Sequence, residues 1–324
     1  MKSFIAYQLT PTFSNIQVSR RYKHFDWLHK QLVEKYSCVA VPPLPEKQIS
    51  GRFEEDFILM RLRALQLWMD RMCTHPVIAG SDVMVHFLSC TDEKRWKVGK
   101  RKAEKDDYTG GKFFFTVTTP PHALDAKVVD QQMERFGRFV KSMDDSAKHL
   151  LTIAENGVRK YQGSFKKEHM KLGGSFIALA KSFEFDERPA AQPLTRALEH
   201  SGKTYEDIGR LFAGQPELDF KGLMEGLQEY RGILSTFPDI LAVQRAATQK
   251  IQESAGRLND SEMATVQSRA DVITYTTQAE MSHFHEVRVG DFKGYMQAFL
   301  QSQIQFHQRV TQMLQETLQA YDQA

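Results

Sequence analysis

The sequence predicts an α+β fold in its first third, followed by an all-α remainder built from long helices. Apolar and polar residues alternate near the N-terminus, which indicates strands, whereas beyond Asp125 apolar residues recur every three or four positions, which indicates helices. Proline follows the same division, since seven of the 11 prolines lie at or before Pro121. All three cysteines, Cys38, Cys73 and Cys90, also lie in the first part.

Composition excludes several classes of protein. Of the 324 residues 26% are charged and 41% are hydrophobic, so the chain is expected to fold rather than remain disordered. It contains no run of about 18 apolar residues and no secretory signal after Met1, so neither a membrane span nor export is expected. The cysteines lack CxxC or zinc-type spacing, which predicts reduced thiols in a cytosolic protein.

Charge is unevenly divided along the chain although the total is only +3. Residues 1–110 contain 18 Lys and Arg against 13 Asp and Glu, a net charge of +5. Residues 111–324 contain the other 25 cations against 27 acids, a net charge of −2. The small total argues against nucleic acid as a partner.

Two strands and three helices are predicted in the N-terminal third. Alternation marks strands over 4–9 and 13–18, separated by a turn at Pro11. Beyond them the pattern predicts, in order, a helix over about 25–36, an extended proline-rich loop over 42–47, and helices over 53–73 and 81–88.

Four side chains in this part have the chemistry to bind a phosphorylated ligand. Arg21 and Tyr22 stand where the second strand meets the first helix, Lys47 follows the proline loop, and Arg61 lies on the second helix. Arginine binds phosphate oxygens through paired hydrogen bonds, lysine acts as a point charge, and a tyrosine ring packs on the apolar face of an inositol. Ordinary surface cations fit the spacing equally well.

The order of these motifs resembles a Phox-homology (PX) domain. The motifs are Arg-Arg-Tyr-x-x-Phe at 20–25, Pro-Pro-Leu-Pro-Glu-Lys at 42–47, and a helix that starts Arg-Phe-x-x-x-Phe at 52–57 and carries Arg61. Domains of this family bind phosphoinositides, and the resemblance covers about residues 1–92.

The resemblance assigns a role to each candidate residue. It implies that Arg21 holds the 3-phosphate, Tyr22 stacks on the inositol ring, Lys47 contacts the 1-phosphate and Arg61 holds the 4- and 5-positions. Residues 42–45 would form a loop that faces the membrane. The first strand of such domains is missing before Met1, so an exposed sheet edge is expected.

Residues 93–124 are predicted to be a basic and aromatic connector. Within 94–105 there are seven cations and one acid. This run fits a solvated face or a flexible hinge, and it also fits contact with an anionic leaflet, where each cation contributes about 1 kcal/mol. The candidates for membrane contact are Lys97, Lys100, Arg101, Lys102 and Lys105. The three phenylalanines at 113–115 either form an apolar strap between domains or insert into lipid.

The remainder carries the apolar seam of coiled-coil helices. Its first members are Val129, Met133, Phe136, Val140, Met143, Ala147, Leu150, Ala154, Gly157, Tyr161 and Phe165, and the seam resumes with Leu172, Phe176, Leu179 and Phe183. The periodicity predicts helices over about 125–187, 190–256 and 260–322. Bends are expected at Pro216 and Pro238, and a tip at Gly256 is expected before a cap at Asn259 or Asp260.

Three long, kinked helices over 125–324 resemble a BAR domain, whose fold is an antiparallel, crescent-shaped homodimer that senses or imposes membrane curvature. Seams this long cannot all be buried in one three-helix bundle, which favours a homodimer. Periodicity alone equally fits a monomeric coiled coil or a spectrin-like bundle.

A BAR membrane face is expected to be basic, and residues 141–181 hold eight Lys and Arg against four acids. Lys160, Lys166 and Lys167 are therefore candidates, although solvated helix faces have the same composition.

A PX domain followed by a BAR domain resembles the sorting nexins, and this chain is most similar to the subfamily with an N-terminal Src-homology-3 domain, which is absent here. The resemblance implies a peripheral protein of the plasma membrane, endocytic vesicles and endosomes that binds phosphoinositides and senses or induces curvature. Dynamin and actin-assembly factors are the implied partners. The alternative is a coiled-coil scaffold for proteins without direct lipid function.

No catalytic, cofactor or metal motif is recognisable in the sequence. His283 and His285 are two residues apart and would face different sides of a helix, so a shared metal ion is not expected. We therefore expect a binding protein rather than an enzyme.

Overall fold

A computed structural model describes residues 4–45, 54–122 and 124–322. The chain forms two compact units. The first contains residues 1–143 and 232–285, and the second contains residues 144–231 and 286–324.

Two short antiparallel strands open the first unit. β1 spans Ala6–Leu9, β2 spans Val18–Arg21, and Leu9 pairs with Val18. The predicted strand over 13–18 is wrong in extent, because only Val18 belongs to β2. The backbone N–H groups of Ser14 and Asn15 donate to the Pro11 carbonyl, and Asn15 adopts a φ of 53°, so this stretch is a turn.

Three helices complete the N-terminal core, and their bounds are α1 Tyr22–Lys35, α2 Glu55–Thr74 and α3 Asp82–Ser89. Phe25, Leu28 and Leu32 of α1 are completely buried. They share one apolar cluster with Met72 of α2 and Phe87 of α3. The predicted apolar stripe of the first helix is therefore the centre of this core.

The basic run is a helix that packs on the same core, not a flexible hinge. α4 spans Glu93–Glu104, and the Asp92 carboxylate caps it by accepting the Arg95 N–H at 2.7 Å. Trp96 is buried in the core cluster, and so is Phe114 of the 3₁₀ turn Gly110–Thr116. Phe115 is exposed, with the Arg269 guanidinium carbon 5.1 Å from its ring centre.

The remainder is helical almost throughout. In order it contains α5 Ala126–Lys160, a π turn Tyr161–Phe165, α6 Lys166–Phe183, α7 Gln192–Gly214, α8 Phe220–Leu234, α9 Phe237–Ser254 and α10 Asp260–Asp322. The breaks before α8 and α9 lie beside Pro216 and Pro238, where bends are predicted. Asn259 caps α10 through a reciprocal pair of hydrogen bonds with Glu262, at 2.9 and 3.1 Å.

The predicted seam is buried or half-buried along the first part of α5, with one error. Leu150 is 40% exposed and Leu151 is buried in its place. A helix of 3.6 residues per turn brings Ala147, Leu151 and Ala154 to one side, whereas the strict heptad predicts Leu150. Beyond the π turn the predicted members Leu172, Leu179 and Phe183 are exposed.

These elements confirm the predicted fold class, an α+β part followed by long helices. Within the described ranges no helix combines the length and the apolar character needed to cross a bilayer.

Candidate functional site

Tyr22 and Arg61, two of the four predicted ligand-binding residues, meet in the structure. Arg61 projects from α2 and is only 8% exposed. Its guanidinium carbon lies 4.4 Å from the ring centre of Tyr22 and 4.2 Å from that of Phe57, one helical turn earlier. A cation held over two aromatic rings has restricted rotamer freedom, so Arg61 is preorganised.

Tyr7 of β1 lies against the same arginine. Burial raises the pKa of the Tyr7 hydroxyl, and the charge of Arg61 and its hydrogen bond to that hydroxyl partly oppose the rise. The phenol therefore stays neutral at physiological pH. Arg61 therefore lies beside a neutral polar partner.

The proline loop is fixed at both described ends. The Tyr22 hydroxyl donates to the Pro45 carbonyl, and the Trp68 indole N–H donates to the Pro42 carbonyl at 2.8 Å. Tyr22 thus links the strand–helix junction to the loop that the resemblance places at the membrane. Lys47, the fourth predicted residue, lies outside the described residues.

Arg21 ends β2 and is exposed. Its Nε–H donates to Nε2 of His24 at 3.2 Å, and its guanidinium carbon lies 5.5 Å from the ring centre of Phe4. The side chain is therefore supported from two directions although it faces solvent.

The neighbouring Arg20 has a different role, because alternation along β2 turns it into the core. Its Nε donates to the Phe87 carbonyl at 2.9 Å and one terminal nitrogen donates to the Cys90 carbonyl at 2.7 Å. Its guanidinium carbon lies 4.3 Å from the Trp96 ring centre. Burial lowers the pKa of Arg20, but an arginine stays charged after any shift of this kind.

Sequence analysis missed Arg20, His24 and Phe57. The period of two in a strand identifies Arg20 as the inward member of the Arg-Arg pair. The spacing of four between Phe57 and Arg61 places both on one face of α2. No pattern in the sequence indicates the contact of His24.

Three of the predicted membrane-contact lysines on α4 already have acidic partners. Lys97 pairs with Glu93 at 2.7 Å and Lys100 with Glu104 at 3.7 Å, and Lys102 lies 3.5 Å from Asp82. The pairs of Lys97 and Lys102 are exposed and weak and leave these two lysines accessible, whereas Lys100 is half-buried. Arg101 and Lys105 are exposed and form no ion pair with any described residue.

The candidates on the long helices lie on both sides of the π turn Tyr161–Phe165. Lys160 and Lys167 are exposed and Lys166 is half-buried. Within the described ranges no ion pair involves them. They are cations available to an anionic surface.

His283 and His285 have different neighbours. The His283 ring centre lies 4.7 Å from that of His75, and the His285 ring centre lies 5.3 Å from that of Phe136. Among the described residues no group of three or more His, Cys, Asp or Glu side chains could hold a metal ion.

The fold and the site define the class of this protein, a PX module followed by a BAR-type helical domain. One family model, the PX domain, matches residues 8–91, and another, described as the WASP-binding domain of sorting nexin protein, matches residues 92–322. The chain therefore belongs to the sorting nexins that combine these two domains.

Curated relatives match along the whole chain. Sorting nexin-18 of Mus musculus is 48% identical over 331 residues, which cover 99% of this chain and 54% of that protein. Sorting nexin-33 of Homo sapiens is 46% identical over 327 residues, covering 99% and 57%. This chain thus spans little more than half the length of these relatives.

A solved structure supports the fold independently. The cryo-EM structure of the SNX-BAR Mvp1 tetramer has a TM-score of 0.73 at 15% identity and covers 98% of this chain and 96% of that chain. At this identity the likeness concerns the fold alone.

Proposed function

We propose that this protein binds phosphoinositide membranes through its PX module and senses or induces curvature as a dimer during endocytosis and endosomal trafficking. The observation that carries the proposal is the buried Arg61, held against the Tyr22 and Phe57 rings, on the same module as the exposed Arg21. These are the residue types that a phosphorylated inositol ring requires.

Each side chain has a distinct part in the proposed site. Arg21 binds the 3-phosphate through its terminal nitrogens, Tyr22 stacks on the inositol ring, and Arg61 holds the 4- and 5-positions. Lys47 contacts the 1-phosphate, and the loop anchored at Pro42 and Pro45 faces the bilayer.

Further cations would add affinity without headgroup selectivity. Arg101 on α4 and Lys105 directly after it are exposed and form no ion pair with a described residue, and Lys97, Lys100 and Lys102 form weak pairs that an anionic surface can replace. Lys160, Lys166 and Lys167 would contribute from the long helices. Each contributes about 1 kcal/mol near an anionic leaflet, and less as salt rises.

Dimerisation is supported by apolar residues that one copy leaves uncovered. In the second compact unit these include Leu172, Leu179, Leu300, Ile304 and Leu318, which are between 42% and 65% exposed. A second copy is the proposed occupant of this surface. Two headgroup sites on one dimer would then bind a membrane with a combined affinity far above that of either site.

Partners and location follow from the family. Actin-assembly factors of the WASP type are proposed from the description of the domain that matches residues 92–322. Dynamin is proposed by resemblance only. We place the protein on the cytoplasmic side of the plasma membrane, endocytic vesicles and endosomes.

Co-sedimentation with liposomes tests the lipid mechanism. Arg21→Ala should lower binding to phosphoinositide vesicles about tenfold or more, because charge-assisted hydrogen bonds to phosphate are lost. Lys30→Ala is the matched control, since Lys30 is an exposed cation of the same module whose partner is Glu34. It should leave binding within about twofold, the scale of a weak surface pair. If Arg21→Ala binds as wild type does, the lipid mechanism is wrong and the protein-scaffold alternative is favoured.

A further inference from the structure

His24 lies between the exposed Arg21 and α4, the helix of the basic connector. It lies in the first turn of α1 and accepts the Arg21 Nε–H at its Nε2. The other side of its ring lies tilted against Trp96 of α4, with 5.0 Å between ring centres. The imidazole is thus hydrogen-bonded to Arg21 and packs against Trp96.

The hydrogen bond defines the tautomer of His24. Since the arginine Nε–H can only donate, Nε2 must be an unprotonated acceptor, and a neutral ring then carries its proton on Nδ1. The pKa of His24 is lowered from 6.5 to about 4 by burial and by the charges of Arg21, Arg20 and Lys100. The ring is therefore a neutral acceptor at physiological pH.

This tautomer has an energetic cost. Nδ1 is buried and has no hydrogen-bond partner in the part of the chain that the structure describes. An orphaned buried donor of this kind is uncommon in folded proteins. Such an exception calls for an explanation, and the hydrogen bond between the opposite nitrogen, Nε2, and Arg21 provides one.

The contact orients the guanidinium of Arg21. With Nε bound to His24 and the ring of Phe4 5.5 Å away, the two terminal nitrogens form no hydrogen bond with any residue that the structure describes, and they can face a ligand. These nitrogens form the fork that binds two oxygens of a phosphate. Restricting the fork in advance reduces the entropy lost when the ligand binds.

Trp96 supports this arrangement from behind. Its ring stacks on that of His86 at an interplanar angle of 9°, with 5.2 Å between centres, and Arg20 lies over it. Trp96 is therefore immobilised by the core, and α4 becomes part of the support for Arg21.

We propose that His24, backed by Trp96 of the connector helix, is a positioning residue that presents the Arg21 fork to a phosphomonoester of an inositol headgroup. This inference rests on the proposed function, because it assigns Arg21 to that ligand. It adds that the connector is part of the headgroup site as well as a basic surface.

Two substitutions of His24 in the full chain test the proposal by calorimetric titration with a water-soluble short-chain phosphatidylinositol 3-phosphate. His24→Phe keeps a ring against Trp96 but removes the acceptor, and should weaken binding about fivefold to tenfold. His24→Gln places an amide oxygen near the position of Nε2 and should restore binding to within about twofold of wild type. Neither should lower the thermal midpoint at pH 7.5.

A combined variant and a second ligand complete the design. In an Arg21→Ala background, His24→Phe should have no further effect, since the residue acts through Arg21. Inorganic phosphate at the same concentration should not bind measurably. Binding of inorganic phosphate as tight as that of the lipid would overturn the assignment to an inositol headgroup.

The failures of the two proposals are distinguishable. If Arg21→Ala does not weaken binding, the proposed function fails. If Arg21→Ala weakens binding but His24→Phe does not, the positioning role fails while the proposed function stands. Equal losses in His24→Phe and His24→Gln would also overturn the positioning role, because the acceptor would then be irrelevant.

Discussion

Two adjacent arginines illustrate how much a sequence determines at the scale of single residues. The period of two along β2 predicts that one of Arg20 and Arg21 faces the core and the other faces solvent. It does not predict the carbonyl groups of Phe87 and Cys90 as partners of Arg20, because these lie 67 and 70 positions away. The type of a residue and its orientation in a strand are local properties of the sequence, whereas the hydrogen-bond partners of Arg20 depend on where α3 packs.

The pair yields a prediction about stability and binding. Arg20→Met should lower the free energy of unfolding by about 2–4 kcal/mol, because the buried Phe87 carbonyl and the partly buried Cys90 carbonyl lose their charged donor. Arg21→Met should change it by less than about 0.5 kcal/mol, as exposed substitutions usually do, while weakening headgroup binding. Urea unfolding of both variants measures the difference. Equal stability of the two would show that the buried hydrogen bonds of Arg20 contribute little.

His24 also predicts a pH dependence of stability. Its folded pKa of about 4 lies below the ordinary 6.5, so between these values the unfolded chain binds a proton that the folded chain does not. Stability should therefore fall as the pH decreases from 6.5 towards 4. The stability of His24→Phe relative to wild type should be about 1 kcal/mol more favourable at pH 5 than at pH 7.5, a reduced figure because the half-buried ring is partly screened by solvent.

Urea unfolding at the two pH values checks this dependence, with His24→Gln as a second variant that cannot titrate. Parallel losses of stability on acidification in wild type and both variants would contradict the assigned pKa shift.

At the scale of elements, helix-breaking prolines predict where helices end better than the heptad pattern predicts which residues are buried. Pro216 and Pro238 correctly predict the breaks before α8 and α9. The π turn at Tyr161–Phe165 was not predictable, because it accommodates rings from other helices, among them Phe212, 5.4 Å from Tyr161. The heptad prediction therefore fails first at Leu150, where the helix keeps 3.6 residues per turn, and it is interrupted again at the π turn.

The crossing of α6 and α7 depends on two glycines. A Cβ atom on Gly173 would lie 2.6 Å from the Gly202 carbonyl oxygen, and one on Gly202 would lie 2.8 Å from that of Gly173. Backbone atoms cannot yield as a flexible side chain does. The close approach of the two helices therefore requires both glycines.

Adjacent glycines provide a matched test of this crossing. Gly173→Ala should lower the free energy of unfolding by about 1–3 kcal/mol, because the helices must separate. Gly174→Ala should raise it by about 0.5–1 kcal/mol, since nothing lies within 4 Å and alanine favours the helix. Thermal and urea unfolding compare the two variants. Stabilisation by both would mean that the crossing tolerates a methyl group.

At the scale of the whole molecule, the fold class was predictable because it depends on periodicity sustained over 200 residues. Contacts between distant segments were not. Glu280 of α10 accepts hydrogen bonds from His75 at 3.1 Å and from the Ala40 N–H at 2.9 Å, over separations of 205 and 240 residues. No pattern within a segment encodes such a pairing. The limits at 1–92, 93–124 and 125–324 stay a prediction.

The exposed apolar face of α10 leads to a prediction about assembly. Leu300, Ile304, Leu314 and Leu318 are exposed, and at about 100° per residue they fall within about 80° of one another. We expect an exposed apolar stripe of this kind to form an interface. Ile304→Glu should place a charge in that interface and convert a dimer into a monomer at micromolar concentration, as measured by sedimentation velocity.

Gln305→Glu is the matched control, because it adds the same charge one position along the exposed surface of α10 but about 100° away. It should remain dimeric.

The dimer also predicts an effect on membrane binding. If the two weak headgroup sites of a dimer bind one vesicle together, Ile304→Glu should keep the affinity for a soluble headgroup and lose about tenfold to a hundredfold in affinity for phosphoinositide vesicles. A monomeric wild type would refute the dimer. A monomeric Ile304→Glu that binds vesicles as wild type does would leave the dimer intact as a structure but remove it from the mechanism of membrane binding.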